Sequence, residues 1–222
     1  MLETLAENGQ MLWENTLDTL FMTFGSAVLA YVIGLPLGIW LSVTDKNGLR
    51  PNRTVQACLG WVVNIGRSFP FIILMLVLIP VSRAVVGTMI GPKAAIVSLT
   101  VAAAPFIARL VESSLAEIDR GVVEAAKSMG ATDWQIIYKV LLPESIPSLV
   151  RGASITVITL IGYSAMAGAV GAGGLGDVAI RYGYHRYQPD MMVITVVLLV
   201  IIVQIIQSAF NLCAKLIDKR NR

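Results

Sequence analysis

Most of the residues that could carry chemistry in this sequence lie in one segment. Between Leu115 and Pro147 the chain runs Glu124-Ala125-Ala126, then Gly130-Ala131-Thr132, then Val140-Leu141-Leu142-Pro143. Glu124 is a carboxylate beside two methyl-only side chains, an arrangement that would let another protein approach closely and meet the charge with an Arg or with backbone donors. The same carboxylate could instead pair with Lys127 at i, i+3 on a solvated connector, and the residues alone leave both readings open. Catalysis finds no constellation of nucleophile and base, nor a metal cluster. His185 is the only histidine and has no partner that suggests a dyad. Cys58 and Cys213 stand far apart in apolar runs without metal-ligand spacing, so they are expected to pack and to form no disulfide. A phosphate-cradling loop requires G-x-x-x-x-G-K followed by Ser or Thr. The nearest stretch, Gly87 to Lys93, has the wrong spacing, a proline and no hydroxyl after the lysine.

The elements that must position Glu124 are two short helices joined by a sharp turn. Asp119 is placed to cap the first helix, Val122 to Met129 are mostly good helix formers, and Gly130 supplies the left-handed residue after its end. Thr132 then starts the second helix, with Gln135 three residues on, the spacing of a capping box. Pro143 and Pro147 are expected to close the unit.

The rest of the chain is membrane. Of 222 residues 56% are hydrophobic and 14% charged, against about 25% charged in ordinary soluble domains. The apolar residues form long runs, at 20–43, 55–80, 94–108, 155–170 and 191–214. A run of ~20 residues is enough to cross a bilayer as helix. The runs lack the charged face of an amphipathic core helix. The fold expected is all-α and polytopic, with about five transmembrane helices and a helical inner segment; the irregular second and third runs leave four or six spans open. The first fifteen residues carry no Lys or Arg and lack the parts of a signal peptide, so insertion through internal helices is expected.

Basic residues set the orientation. With the N-terminus outside, the inner segments hold Lys46, Arg50 and Arg53, then Arg120, Lys127, Lys139 and Arg151, then Lys215, Lys219, Arg220 and Arg222. The outer segments hold Arg83, Lys93, Arg181 and Arg186. N-terminus out and C-terminus in is the orientation this bias predicts, giving a periplasmic segment at 1–15, one transmembrane domain at 16–215 with its inner loop at 116–147, and a basic cytoplasmic tail at 216–222.

Two runs are irregular. Asn64, Arg67, Ser68 and Pro70 interrupt the second. Either a short helix ends at Arg67 and another begins at Ser68, or Arg67 sits in the bundle interior with a function. Pro70 suits a first helical turn and favours the break. In the third run Pro105 is expected to bend the helix, with Arg109 and Glu112 paired at its inner end.

Ser164, Gly168 and Ala172 recur every four residues in the fourth span, as do Ala165 and Ala169, a spacing that lets helices approach closely in lipid. Met166 is the long side chain among them and a candidate gate, with Tyr163, Ser164 and Gly168 as further pore candidates; simple packing of Met166 on a neighbouring helix is the alternative. The segment from Gly173 to Asp190 is expected outside. Its Tyr182, Tyr184 and Tyr187 suit the membrane interface, and Arg181, Tyr184 and Arg186 are candidates for contact with an external protein. Gln204, Gln207, Ser208 and Asn211 share one face of the last span and are expected to meet helices of the same subunit.

The spacing of Glu124-Ala125-Ala126, Gly130 and Val140-Leu141-Leu142-Pro143 resembles the hallmark loop of ABC importer permeases, with Val140 where Ile is usual. Arg67 to Ile73, Ala104 to Glu112 and Gly162 to Gly176 further resemble permeases of the methionine importer family, the likeness running from about Thr16 onward. The resemblance implies that Glu124, Ala125, Ala126, Gly130, Ala131, Thr132, Val140, Leu142 and Pro143 form the segment that couples to a cytoplasmic ABC ATPase dimer. It also implies a homodimer in the bacterial inner membrane and an external methionine-binding protein, with ATP and Mg bound by the ATPase and no cofactor in this chain. A permease for another small solute, of the osmoprotectant or phosphonate type, is the nearest alternative. A stand-alone secondary transporter fits less well, because the spans carry neither inverted repeats nor ion-coupling carboxylates. Nothing points to nucleic acid.

Overall fold

The computed structural model describes residues 2–217, and among these all regular structure is helical. The tail residues Lys219, Arg220 and Arg222 lie outside the described residues. Helix α1 (Leu2–Thr44) takes up the acidic N-terminal stretch and the first apolar run as one continuous rod. Next come α2 (Arg53–Ser68) and α3 (Phe71–Val86), which meet at 104°. The break expected near Arg67 is therefore present, but α3 starts at Phe71, with Pro70 as the residue before its first turn.

Helix α4 (Pro92–Ala116) runs unbroken through Pro105. The short α5 (Arg120–Ser128) and α6 (Asp133–Ile136) follow, and a π turn (Ile137–Leu141) leads into α7 (Leu142–Gly168). Pro143 and Pro147 do not close the inner unit as expected, because residues 133–168 form one continuous helical path. A proline ring crowds the carbonyl four residues back. Widening the turn just before Pro143 into i→i+5 bonds relieves that crowding. After α7 the chain forms α8 (Gly174–Val178), a second π turn (Ala179–Tyr184) and α9 (Pro189–Ile217). The segment from Gly173 to Asp190 is thus largely helical.

Four helices are long and apolar enough to cross a membrane, or five if α2 and α3 count as one bent span. Val32, Val77, Val85, Val200 and Ile205 are exposed on the outer faces of α1, α3 and α9. Apolar surface on this scale suits lipid rather than water.

The centre of the bundle is the pair α1 and α4, which run side by side and parallel. A β-carbon at Gly34 would lie 2.7 Å from Ala104 O, and one at Gly38 would lie 2.5 Å from Ala108 O. Gly34 and Gly38 are four apart, the small-residue spacing that brings helix backbones together in lipid. On α4 they meet Ala104 and Ala108, both buried. Contact of this kind is won by dispersion and close fit, since lipid removes the hydrophobic drive between helices.

Contacts between elements divide the molecule into two ends. At one end Thr4 donates to Asp190, Gly91 N–H to Gly171 O, and Leu175 N–H to Thr19 Oγ1. These bonds gather the starts of α1, α4, α8 and α9. At the other end the α1–α2 turn meets α6 through the ion pair of Arg50 with Asp133. The two ends of the described chain therefore lie on opposite faces. Lys46, Arg50, Arg53, Arg120, Lys127 and Lys139, expected on the inner side, lie in the α1–α2 turn, the first turn of α2, α5 and the π turn, at the Arg50–Asp133 end.

Candidate functional site

The unit between α4 and α7 is built by local rules. Asp119 accepts from Gly121 N–H at 2.7 Å and caps α5. Gly130 has φ 78°. Its N–H donates to Lys127 O at 2.9 Å, and Ala131 N–H donates to Ala126 O at 3.1 Å. This pair of bonds is a complete Schellman closure, satisfying carbonyls that the helix end would leave open. Thr132 and Gln135 then exchange their bonds: Thr132 N–H donates to the Gln135 side chain at 2.8 Å and Gln135 N–H to Thr132 Oγ1 at 3.4 Å. The turn is thereby fixed by backbone chemistry, and the capping residues are the ones expected from sequence.

The two alanines separate. Glu124 and Ala125 are exposed, whereas Ala126 is buried with Ile118 and Ile136. Only Ala125 contributes to the bare face expected of both, because the helix turns Ala126 toward the bundle. Ala131 and Val140 are half-buried against the same core, Leu142 is half-buried, and Thr132 and Pro143 are exposed. Sequence reasoning missed three large side chains beside this turn. Met129 is 81% exposed, Trp134 74% and Tyr138 65%. Trp134 and Tyr138 are i, i+4 on one face, and their signal was the presence of large apolar groups in an otherwise polar inner segment.

Beside α5 lies a cavity of 570 Å³ between the α1–α2 turn, the end of α4 and α5 itself. Asp45, Glu112, Arg120, Glu124 and Lys127 line it. Helix α5 packs chiefly on α6 and the π turn, so on the cavity side it has room. Deeper, Arg109 Nη1 donates to Glu112 Oε2 at 2.6 Å, the pairing expected at i, i+3, and Arg109 Nη2 donates to Asn64 Oδ1 at 2.9 Å. This network fastens α2 to α4 on the side leading to the cavity.

The pore candidates on α7 divide as well. Met166 is 48% exposed. Tyr163 is half-buried, its ring stacked on Phe71 with centroids 4.6 Å apart. Ser164 and Gly168 are buried inside the subunit, and Ser164 Oγ donates to Ile161 O. A β-carbon at Gly168 would lie 2.3 Å from Asp177 N, so Gly168 serves the packing of α8 on α7. Arg181, Tyr184 and Arg186 are all exposed. Arg181 pairs with Asp177 at 2.8 Å, and the Arg186 guanidinium sits 4.5 Å from the centre of the Tyr182 ring.

Two further expectations are corrected. Gln204, Gln207, Ser208 and Asn211 are all exposed and do not meet helices of this subunit, because α9 packs on α7 and α8 through its other face. Cys58 and Cys213 are free and exposed, not packing residues within this chain.

Residues 34–222 match the family described as binding-protein-dependent transport system inner membrane component. The chain is 53% identical over 215 residues to the protein named "Probable D-methionine transport system permease protein MetI" of Vibrio cholerae, covering 97% of this chain and 96% of that one. It is 48% identical over 209 residues to the methionine import system permease protein MetP of Bacillus subtilis, covering 94% of each. Among solved structures, a chain of the MetNI methionine ABC transporter in inward-facing conformations superimposes with a TM-score of 0.94 at 50% identity, covering 96% of this chain and 99% of that chain.

Proposed function

The chain belongs to the family of binding-protein-dependent transport system inner membrane components, and on that premise we propose that it is the permease subunit of a bacterial ABC importer for methionine. The observation that carries this reading is the 53% identity to a D-methionine permease over 97% of the chain. A permease of this kind is a multi-pass protein of the bacterial inner membrane. It works as a homodimer with separate ATPase subunits that hydrolyse ATP and with a methionine-binding protein that delivers the solute, and it is not itself an enzyme.

In our reading the turn at Gly130 is the coupling element. Its Schellman closure and capping box hold α5 and α6 at a set angle, so a push on one is transmitted to the other. The π turn joins α6 to α7 without a break, which supports a rigid path from the inner unit to Met166. Glu124 offers charge, and Met129, Trp134 and Tyr138 offer apolar area to a cleft on the ATPase. ATP-driven closure of two ATPases would then tilt α7 and alter the exposure of Met166. The positive-inside bias puts this coupling end in the cytoplasm, with the N-terminus outside, and Arg181, Tyr184 and Arg186 at the end facing the binding protein.

The test is uptake of labelled L-methionine into proteoliposomes holding this chain, its ATPase and its binding protein. Accumulation that requires ATP and all three proteins is the expected result. ATP-driven uptake of a different solute, with none of methionine, would discard the substrate while keeping the permease. Uptake by this chain alone down an ion gradient would overturn the reading.

A further inference from the structure

Arg67 is a charged residue inside an apolar run that the coupling mechanism leaves unused, and its depth follows from its neighbours. Helix α4 has 25 residues, which at about 1.5 Å each span roughly 37 Å, a full bilayer crossing. Its midpoint is near Ala104. A β-carbon at Gly66 would lie 2.6 Å from Pro105 Cγ, so the turn of α2 that carries Arg67 sits beside the middle of α4. Arg67 therefore lies near the bilayer midplane, at the 104° break between α2 and α3.

At that depth Arg67 is exposed, and among the described residues no side chain pairs with it. An unpaired arginine at the midplane is strongly disfavoured against lipid and marks a water-filled path or a partner. This chain supplies no anionic partner there. Its sequence has no Asp or Glu between Asp45 and Glu112, between Glu144 and Asp177, or between Asp190 and Asp218. Glu112 is engaged by Arg109 at 2.6 Å. A second copy has the same sequence, so it brings no midplane carboxylate either. Lipid phosphates lie roughly half a bilayer thickness away. The break also adjoins the candidate gate: Phe71, four residues after Arg67, stacks on Tyr163, three residues before Met166. In secondary transporters, discontinuous helices near the midplane form the solute site, and the α2–α3 break has that form.

We propose that Arg67 lines the translocation pathway at the midplane and supplies the transient counter-charge for the carboxylate of the transported amino acid. This rests on the importer reading above and adds a specificity-determining residue to it. A zwitterion released by the binding protein would pass a pair of guanidinium groups, one from each copy, which attract its carboxylate and repel free cations. Because the attraction is to a passing group, the residue lowers the barrier without trapping the solute.

The experiment uses the reconstituted complex with ATPase and binding protein, the wild type being measured first. Absence of methionine uptake in the wild type would count against the importer reading itself. With the wild type active, Arg67→Gln is expected to reduce uptake by roughly tenfold or more, as for loss of one partner of a desolvated charge pair. ATP hydrolysis stimulated by the binding protein should persist, and Arg67→Lys should keep uptake within about threefold of wild type, since the positive charge remains. In a second arm, Arg67→Cys on a background with Cys58→Ser and Cys213→Ser is treated with membrane-impermeant thiol reagents. Reaction, with uptake restored by a cationic adduct and not by an anionic one, is expected. Uptake by Arg67→Gln equal to wild type would overturn the proposal, as would a cysteine that only lipid-soluble reagents reach. Should Arg67→Gln fail to assemble, the Lys variant decides: an assembled Lys complex without uptake also overturns it.

Discussion

At Gly130 the backbone stands at φ 78°, yet a β-carbon there would meet open space. Any cost of substitution is therefore conformational, not steric, and a left-handed non-glycine residue costs roughly 1–2 kcal/mol. Gly130→Ala is expected to loosen the α5–α6 turn and lower coupled uptake severalfold, whereas Gly130→Asn, whose side chain tolerates this conformation, should keep more of it. Parallel measurements of uptake and ATP hydrolysis decide: a loss of uptake with ATPase activity retained marks uncoupling, and equal activity of all three proteins would remove the turn from the mechanism. Glu124→Arg acts differently. It reverses the charge on an exposed face without disturbing any described bond of its carboxylate, so its effect should appear in assembly with the ATPase and not in insertion.

Among the elements, α7 is held at both ends. Its first turn is continuous with α6 through a π turn, and its last turn is pinned by α8. That pin is steric and reciprocal. A β-carbon at Gly176 would lie 2.3 Å from Ala165 O, just as one at Gly168 would meet Asp177 N. Gly176→Ala is expected to force α8 off α7, with a loss of about 1–3 kcal/mol typical of overpacking and a lower melting temperature of the purified chain in detergent. Gly162 on the same helix faces open space, so Gly162→Ala should leave that temperature unchanged or slightly raise it through helix propensity. Equal melting temperatures for the Gly176 variant and wild type would show that α8 is not locked to α7.

For the molecule as a whole, the parts left uncovered are informative. Gln204, Gln207, Ser208 and Asn211 form a polar stripe on a membrane helix, and in lipid such groups need partners that the helices packed on α9 do not supply. At the inner end Trp134 is 74% exposed on a face it shares with Tyr138. Exposed aromatic groups in a docking patch behave as anchors, whose truncation costs about 2 kcal/mol or more. Trp134→Glu is expected to weaken retention of the ATPase roughly thirtyfold on a size-exclusion column, with the permease itself still folded and dimeric. Undiminished co-elution would move the docking surface elsewhere.

Much of this was legible from the residues because it obeys local rules. Apolar runs set the spans, Asp119, Gly130 and the Thr132–Gln135 pair set the α5–α6 turn, and Arg109 and Glu112 were an i, i+3 pair before any packing was known. These features depend on neighbours within about one helical turn, so the chain states them by itself. What required the tertiary structure depends on partners distant in sequence. The inward turn of Ala126, the burial of Ser164 and Gly168, and the exposure of Cys58 and the α9 stripe each follow from which helix lies opposite. The continuity of α6 into α7 past Pro143 was likewise hidden, since a proline ends a helix only when the turn before it cannot widen. The depth of Arg67 was hidden too. A charge inside an apolar run is visible in one dimension, but its place at the midplane was decided by Gly66 meeting Pro105 on another helix.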